Sequence, residues 1–262
     1  MDSQRVLVAS PVYDGMRYCI NNFINSIKDL SYQNYDFLLM DNSNKKDFFK
    51  ELKKISGIKI EKLKSNEKDK MKRIIKSRNR ILDYAIGNDY DYVLMMDCDV
   101  IPPSNIIKQL LSHKKDIVSG LYYNKFTING LSKTRPVVWM RVSKEEFNEM
   151  KKEKALRGIK SHLELRRHMT LEEANSGKLF RVFVPSAGCM LISKEVFRKV
   201  RYGLLNMPDG IPTSDDAYFF IKAEELGFKG FCDTRVKCKH LIYGKYTVSE
   251  DGSLVHPAFE NK

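Results

Sequence analysis

The chain has 262 residues, 42% of them hydrophobic, and a formal net charge of +13. This size and apolar content suit one sizeable α/β domain with a real core. No stretch approaches the roughly 20 apolar residues needed to span a bilayer, which excludes a membrane-spanning helix.

The positive excess attracts polyanions such as nucleic acid, an anionic membrane surface or phosphate-bearing substrates, without choosing among them. Much of it sits in mixed runs such as Lys151-Lys152-Glu153-Lys154, which read as solvated helix faces. Met1-Asp2-Ser3-Gln4-Arg5 leads straight into an apolar run and lacks the layout of a signal peptide, so the expectation is a cytoplasmic protein. Five cysteines, none in a C-x-x-C pair, argue against a disulfide framework. Cys232, Cys238 and His240 lack zinc-finger spacing and a fourth ligand, so the thiols read as buried or incidental.

The first half alternates short apolar strands with amphipathic helices. Val6–Ala9 reads as a buried strand and Tyr18–Leu30 as a helix with Phe23, Ile27 and Leu30 on one face. Phe37–Met40 is the second strand, ending at the turn cluster Asp41-Asn42-Ser43-Asn44. A short helix over Phe48–Lys54 and a strand over Ile58–Leu63 follow, then a long helix over Met71–Ile86. Tyr92–Met96 is a strongly apolar strand ending at Asp97, Pro102-Pro103-Ser104 opens another helix, and Ile117–Leu121 is a further strand.

From Ser132 to Phe180 charged helical stretches are expected, notably Ser143–Arg167 and Leu171–Asn175. Strand pattern resumes at Val182–Val184 and Met190–Ile192, and Ser193 is expected to cap a helix through Val200. Asp215–Leu226 reads as a helix closed by Gly227, and Phe231 begins a last extended segment leading to His240. Alternating strands and helices predict a parallel sheet covered on both faces, with ligands outside the carboxyl ends of its strands.

Four constellations carry candidate chemistry. In Asp97-Cys98-Asp99, a buried strand delivers two carboxylates two residues apart, which an extended backbone points to the same side. Such oxygens suit Mg²⁺ or Mn²⁺ bridging to substrate phosphates; turn formers or helix caps are the alternative. A Walker B aspartate also follows an apolar strand, but the chain has no Gly-x-x-x-x-Gly-Lys-Ser/Thr loop. In Thr213-Ser214-Asp215-Asp216-Ala217, capping explains one acidic residue. Two adjacent aspartates exceed that need, and one of them suits a general base. His240 is a candidate ligand, although a lone histidine otherwise packs or faces solvent; His113, His162, His168 and His256 have no better local case. Lys76-Ser77-Arg78-Asn79-Arg80 reads equally as a basic helix face or as a phosphate contact through arginine.

Taken in order, these segments resemble the family-2-like glycosyltransferases of the GT-A fold, most of all the branch that includes subunits of the fungal mannan polymerase complex. The matching pieces are Val8-Ala9-Ser10-Pro11-Val12-Tyr13, Asp41-Asn42-Ser43, Ser77-Arg78-Asn79-Arg80, Tyr92 to Asp99, Gly120-Leu121-Tyr122-Tyr123, Ser186 to Ile192, Ser214 to Phe219, and His240-Leu241.

The resemblance implies a Rossmann-like, mostly parallel sheet flanked by helices, with a charged helical insertion. It implies one domain over 1–262: a nucleotide-binding half at 1–131, the insertion at 132–180, and an acceptor and catalytic half at 181–262. Pro11, Val12, Tyr13 and Asp41 would border the nucleoside, and Arg78 and Asn79 the diphosphate or nucleoside. Asp97 and Cys98 would lie at the donor, and Gly188 would let the backbone approach the donor sugar or acceptor. Asp97, Asp99 and His240 would hold Mn²⁺ or Mg²⁺. Asp216 matches the aspartate of the family's Glu-Asp pair and would be the base. Asp215 stands where glutamate is usual and shares the catalytic assignment.

The implied reaction moves a hexosyl or N-acetylhexosaminyl group from a UDP- or GDP-linked sugar to an acceptor hydroxyl, with inversion. The acceptor would be a glycan, a lipid-linked molecule or a protein, with specificity from Ser132–Phe180. A basic helix there would suit a peripheral contact with a membrane surface. Two rivals are a nucleotidyltransferase, which wants a glycine- and basic-rich loop where this chain has Ser10-Pro11-Val12-Tyr13-Asp14-Gly15, and a nucleic-acid-binding protein drawn by the charge. The second leaves the carboxylates without purpose, and no nucleic-acid partner is expected.

Overall fold

The computed structural model describes residues 3–128, 131–152, 159–205, 214–242, 246–248 and 254–255. Strands and helices alternate first: β1 (Val6–Val12), α1 (Ile20–Lys28), β2 (Tyr35–Asp41), α2 (Asp47–Leu52), β3 (Lys59–Lys62), α3 (Lys70–Gly87), β4 (Tyr92–Met96), β5 (Val100–Ile101), α4 (Ile106–Ser112) and β6 (Ile117–Leu121). A more mixed stretch holds β7 (Tyr123–Ile128), β8 (Leu131–Pro136), β9 (Trp139–Arg141), α5 (Lys144–Lys152), β10 (Arg166–His168), α6 (Leu171–Asn175) and β11 (Leu179–Val182). The last elements are β12 (Cys189–Ser193), α7 (Lys194–Phe197), α8 (Asp215–Glu225), β13 (Gly230–Lys237), β14 (Lys239–Ile242), β15 (Tyr246–Val248) and β16 (Leu254–Val255).

Eight strands form the central sheet in the order β11-β13-β6-β12-β4-β1-β2-β3. The β1–β2, β1–β4, β2–β3 and β6–β13 pairs are parallel. Strand β12 runs against both β4 and β6, and β11 runs against β13. The expected mostly parallel sheet flanked by helices is therefore present.

Side-chain alternation explains why β1 and β4 read as unbroken apolar runs. Val6, Val8, Leu94 and Met96 join one core cluster with Phe23 and Ile27 of α1 and Ile107 and Leu110 of α4. Leu7, Ala9, Val93 and Met95 point the other way, onto Ile81 and Leu82 of α3 and Phe219 and Phe220 of α8. Both faces are covered, so both favour apolar residues, with Ser10 the buried polar exception in β1. Each fully buried side chain of the Phe23 or Ile27 kind contributes about 1.5–3 kcal/mol.

The segment 132–180 is less helical than expected. It holds the helices α5 and α6, but β8 pairs with β7, and β9 pairs with β10. Val138, Met140, Met169 and Ala174 make a third small core with Leu121 and Tyr123. Alternation in Trp139-Met140-Arg141 was hidden by the surrounding charge. Helix α5 carries Lys144, Lys151 and Lys152 together with Glu145, Glu146 and Glu149, so its formal charges balance. Among the described residues no helix is long and apolar enough to cross a membrane.

Ser193 stands at the N-terminus of α7 without a capping bond; its Oγ donates instead to Asp116 Oδ1 at 2.8 Å. Gly227 closes α8 as expected, with φ of +86°.

Candidate active site

A cleft of about 190 Å³ opens at the carboxyl ends of β1 and β4, where a parallel sheet presents its ligands. Pro11, Tyr13, Asn42, Arg78, Asp97, Cys98, Asp99 and Asp215 line it, with Met16 and Ile74 as apolar wall. The chain brings these groups together from β1, the turn after β2, helix α3, the turn after β4 and the start of α8.

Arg78 organises the cleft. Its Nη1 donates to Asp215 Oδ2 at 2.7 Å and its Nη2 to Asp97 Oδ1 at 2.8 Å. Burial alone works against the guanidinium charge, but Asp215 and Asp97 outweigh it and hold the pKa well above the ordinary value. The guanidinium also lies 5.3 Å over the ring of Tyr202. For Asp97, burial pushes the carboxyl pKa up, Arg78 opposes the rise, and Asp99 and Asp215 add to it.

The turn Asp97-Cys98-Asp99 is pinned on both sides. Asp97 N–H donates to Gly188 carbonyl at 3.0 Å, and Leu241 N–H donates to Asp99 carbonyl at 2.7 Å. Strand β5 pairs with β14, setting Val100 opposite His240. Asp99 Oδ2 consequently lies 3.6 Å from His240 Nε2. His240 Nδ1 donates to the Tyr123 carbonyl at 2.9 Å, which fixes the ring with Nε2 turned to Asp99. Burial works against a charge on this ring, and the Asp99 carboxylate outweighs it, so its pKa is raised.

Gly188 is required sterically. A Cβ here would sit 2.9 Å from Asp97 Oδ2 and 3.0 Å from the Tyr122 hydroxyl. Burial pushes the Tyr122 phenol pKa well up, and the charges of Asp97, Asp99 and Asp216 add to it.

The two adjacent aspartates are unlike each other. Asp215 is buried, lines the cleft and is committed to Arg78. Asp216 is half-buried, and its Oδ1 accepts from Ala217 N–H at 2.8 Å at the first turn of α8. Ser214 Oγ accepts from the same N–H, which is the expected cap. Thr213 lies outside the described residues.

Several expected site residues stand elsewhere. Asp41 is fully buried: Oδ1 accepts from Ser43 N–H at 2.9 Å and Oδ2 from Lys62 Nζ at 2.6 Å, so its carboxylate shapes the turn and Asn42 faces the cleft instead. Asn79 clamps a distant loop, donating to the Tyr202 carbonyl at 2.9 Å and accepting from Tyr202 N–H at 2.8 Å. One step along α3 turns a side chain by about 100°, so Arg78 and Asn79 serve different surroundings. The Val12 side chain is core; its carbonyl accepts from Asn42 N–H at 2.8 Å. Cys98 does line the cleft, but its thiol meets Cys19, which together with burial raises its pKa well above normal.

Elsewhere in the basic run, Lys76 reaches Glu67 and Arg80 lies 3.9 Å from Glu61, so only Arg78 enters the cleft. All five cysteines are buried and free, and Cys232 Sγ donates to the Gly120 carbonyl. His113 pairs with buried Asp233 at 2.6 Å, His162 and His168 bond to backbone carbonyls, and His256 lies outside the described residues.

The donor chemistry fits a hard divalent cation in part. Asp99 and His240 offer one carboxylate and one imidazole, and Asp97 Oδ2 faces Gly188. Among the described residues no three such side chains already form a cage. A set this open suits Mg²⁺ or Mn²⁺, which take their remaining oxygens from phosphates and water.

Asn42, Tyr122 and Tyr202 escaped the sequence reading. Asn42 and Tyr122 lie inside segments already singled out, so their positions after apolar strands were an available signal. Tyr202 joins through contacts with α3 that no local pattern announces.

The family model Anp1 matches residues 45–156, less than half of the chain. No curated protein matches. Among solved structures, A197 from STIV is 16% identical, with 98% of each chain covered and a TM-score of 0.49. S. aureus TarS is 16% identical over 84% of this chain and 33% of its own, with a TM-score of 0.47. TarS 1-349 in complex with UDP-GlcNAc is 14% identical over 84% and 53%, also at 0.47. The chain thus spans about a third of TarS and about half of the shorter TarS chain.

Proposed function

We propose that this protein is a metal-dependent glycosyltransferase that moves a sugar from a nucleoside-diphosphate sugar to an acceptor hydroxyl. The single observation that carries the reading is the meeting of Arg78, Asp97 and Asp215 in a cleft that also holds Asp99, with His240 beside it. Support also comes from the Anp1 match, which overlaps the segments that resemble the mannan polymerase branch of GT-A enzymes and includes Arg78, Asp97 and Asp99. One TarS structure was solved with UDP-GlcNAc; for this chain we carry a UDP- or GDP-linked hexosyl or N-acetylhexosaminyl donor.

In this reading the nucleoside lies along Pro11, Tyr13 and Asn42, with the diphosphate toward Asp99. Asp99 and His240, with Asp97 beside them, would hold Mn²⁺ or Mg²⁺, which would supply positive charge against the departing diphosphate. Arg78 holds Asp97 and Asp215 at fixed separation, so neither swings when substrate enters. The acceptor is a glycan, lipid-linked or protein hydroxyl. Its oxygen bonds to the anomeric carbon as the bond from that carbon to the diphosphate oxygen breaks; the diphosphate keeps the electron pair, and the acceptor proton passes to Asp216. One displacement inverts the anomeric centre. Asp215 is the positioning partner, because its carboxylate is already bound to Arg78. We place the enzyme in the cytoplasm.

The test is release of nucleoside diphosphate from a panel of UDP- and GDP-sugars with Mn²⁺ or Mg²⁺. At least one donor should turn over, and Asp216→Asn should abolish transfer while leaving donor binding intact. Near wild-type turnover by Asp216→Asn would remove it as the base.

A further inference from the structure

A second cavity, of about 490 Å³, lies at the other end of α8. Its walls are Met140 and Arg141 of β9, Arg181 and Val182 of β11, Phe183, and Glu224 near the C-terminus of α8. Asp215 in the first cleft and Glu224 here are nine residues apart on one helix, about 14 Å at 1.5 Å per residue. The cavity therefore stands apart from the carboxylate cleft, and its volume is in the range of small-ligand pockets.

Its charges are arranged unevenly. Arg141 forms an ion pair with Glu224, and its guanidinium lies 4.3 Å over the Phe183 ring, so its charge is balanced. Arg181 is exposed and has no ion pair among the described residues. Lys229 lies in an adjoining shallow depression that shares Arg181, Val182, Phe183 and Glu224, and is likewise exposed and without a carboxylate partner among the described residues. Strands β11 and β13 pair Val182 with Gly230, which brings these two cations to one rim. Arg181 in the cavity and Lys229 in the adjoining depression, with the cavity's one carboxylate already paired to Arg141, are favourable ground for an anion. Met140, Val182 and Phe183 add an apolar wall.

We propose that this cavity binds a small organic anion, a phosphate or carboxylate carried on a sugar-sized body. Arg181 grips the oxyanion through its planar fork, Lys229 adds a point charge, and the body lies on the apolar wall. The proposal does not depend on the reading of the first cleft.

Titration calorimetry at low salt, using glucose 6-phosphate, glucuronic acid and glucose as probes, tests it. At least one of the two anions should bind and neutral glucose should not. Arg181→Ala should weaken that binding at least about tenfold, the worth of one charge-assisted hydrogen bond. Arg181→Lys should recover part of the loss. Asp99→Asn, in the other cleft, should leave the affinity unchanged. Both cations are exposed, so unaltered melting temperatures will show that the variants fold. Absence of binding at millimolar anion, equal binding of glucose, indifference to Arg181→Ala, or loss on Asp99→Asn would each overturn the assignment.

Discussion

Arg78 and Asp215 lie 137 positions apart and meet at 2.7 Å inside the protein. The same guanidinium holds Asp97 at 2.8 Å, so one side chain ties the turn after β4 to the start of α8. Removing it leaves two carboxylates facing each other with no cation between them. Breaking a buried pair of this kind costs about 3–5 kcal/mol. Arg78→Met should lower the unfolding free energy by that order and abolish transfer. Arg78→Lys should fold better yet stay largely inactive, because an ammonium cannot bridge two carboxylates through a planar fork. Denaturant melts and turnover of the two variants check this together.

Gly188 gives a gentler probe of the same turn. A methyl group there meets Asp97 Oδ2 at 2.9 Å and the Tyr122 hydroxyl at 3.0 Å. Gly188→Ala should keep the fold, with melting close to wild type. Turnover should drop by about 10²-fold, the effect of displacing a catalytic group by roughly an ångström. Wild-type kinetics in this variant would mean that Asp97 can shift freely.

Asp99 and His240 should contribute to metal binding unequally. The carboxylate brings charge and the imidazole a neutral nitrogen. Asp99→Asn should eliminate Mn²⁺ binding measured by electron paramagnetic resonance. His240→Gln should weaken it by at least about tenfold, the low end of what losing even a residue that only supports a ligand costs. Equal Mn²⁺ affinity in wild type and Asp99→Asn would place the ion elsewhere.

Glu173 makes a prediction about pH that is separate from the cleft. It pairs with Arg167 through both oxygens at 2.8 Å and completes a capping box with Thr170 at the start of α6. The Arg167 hydrogen bond first, and the backbone N–H of Thr170 further, hold its carboxyl pKa below the ordinary glutamate value. A depressed carboxylate stabilises the fold above its unfolded pKa, about 4.3, and the contribution is lost as pH falls through the folded value. Glu173→Gln can keep the capping box but loses the partly exposed ion pair with Arg167, so it should cost up to about 1 kcal/mol at pH 7. The difference between variant and wild type should shrink as pH falls below 4 in chemical denaturation.

The sheet was legible because β1, β2, β4 and β6 are largely buried on both faces and so print as short, mostly apolar runs. The ends of those runs also showed where the cleft opens, at Pro11, Tyr13, Asp97 and Asp99. What stayed hidden was partnership. Nothing local reports that Asp41 is neutralised by Lys62, that Asn79 is spent on the Tyr202 backbone, or that Arg78 faces carboxylates. All three are polar side chains whose role is fixed by a residue at least 19 positions away. The stretch 132–180 misled for a related reason: its strands are short and its charged residues outnumber the few apolar ones that form the third core.

The central claim is tested most directly by titrating wild type and Asp99→Asn with UDP- and GDP-sugars, with and without Mn²⁺, while following release of nucleoside diphosphate. The account predicts that at least one donor turns over in wild type, that omitting Mn²⁺ or Mg²⁺ stops it, and that Asp99→Asn is inactive with either metal. Failure of every donor to bind or turn over, or turnover that survives both chelation and Asp99→Asn, would contradict it.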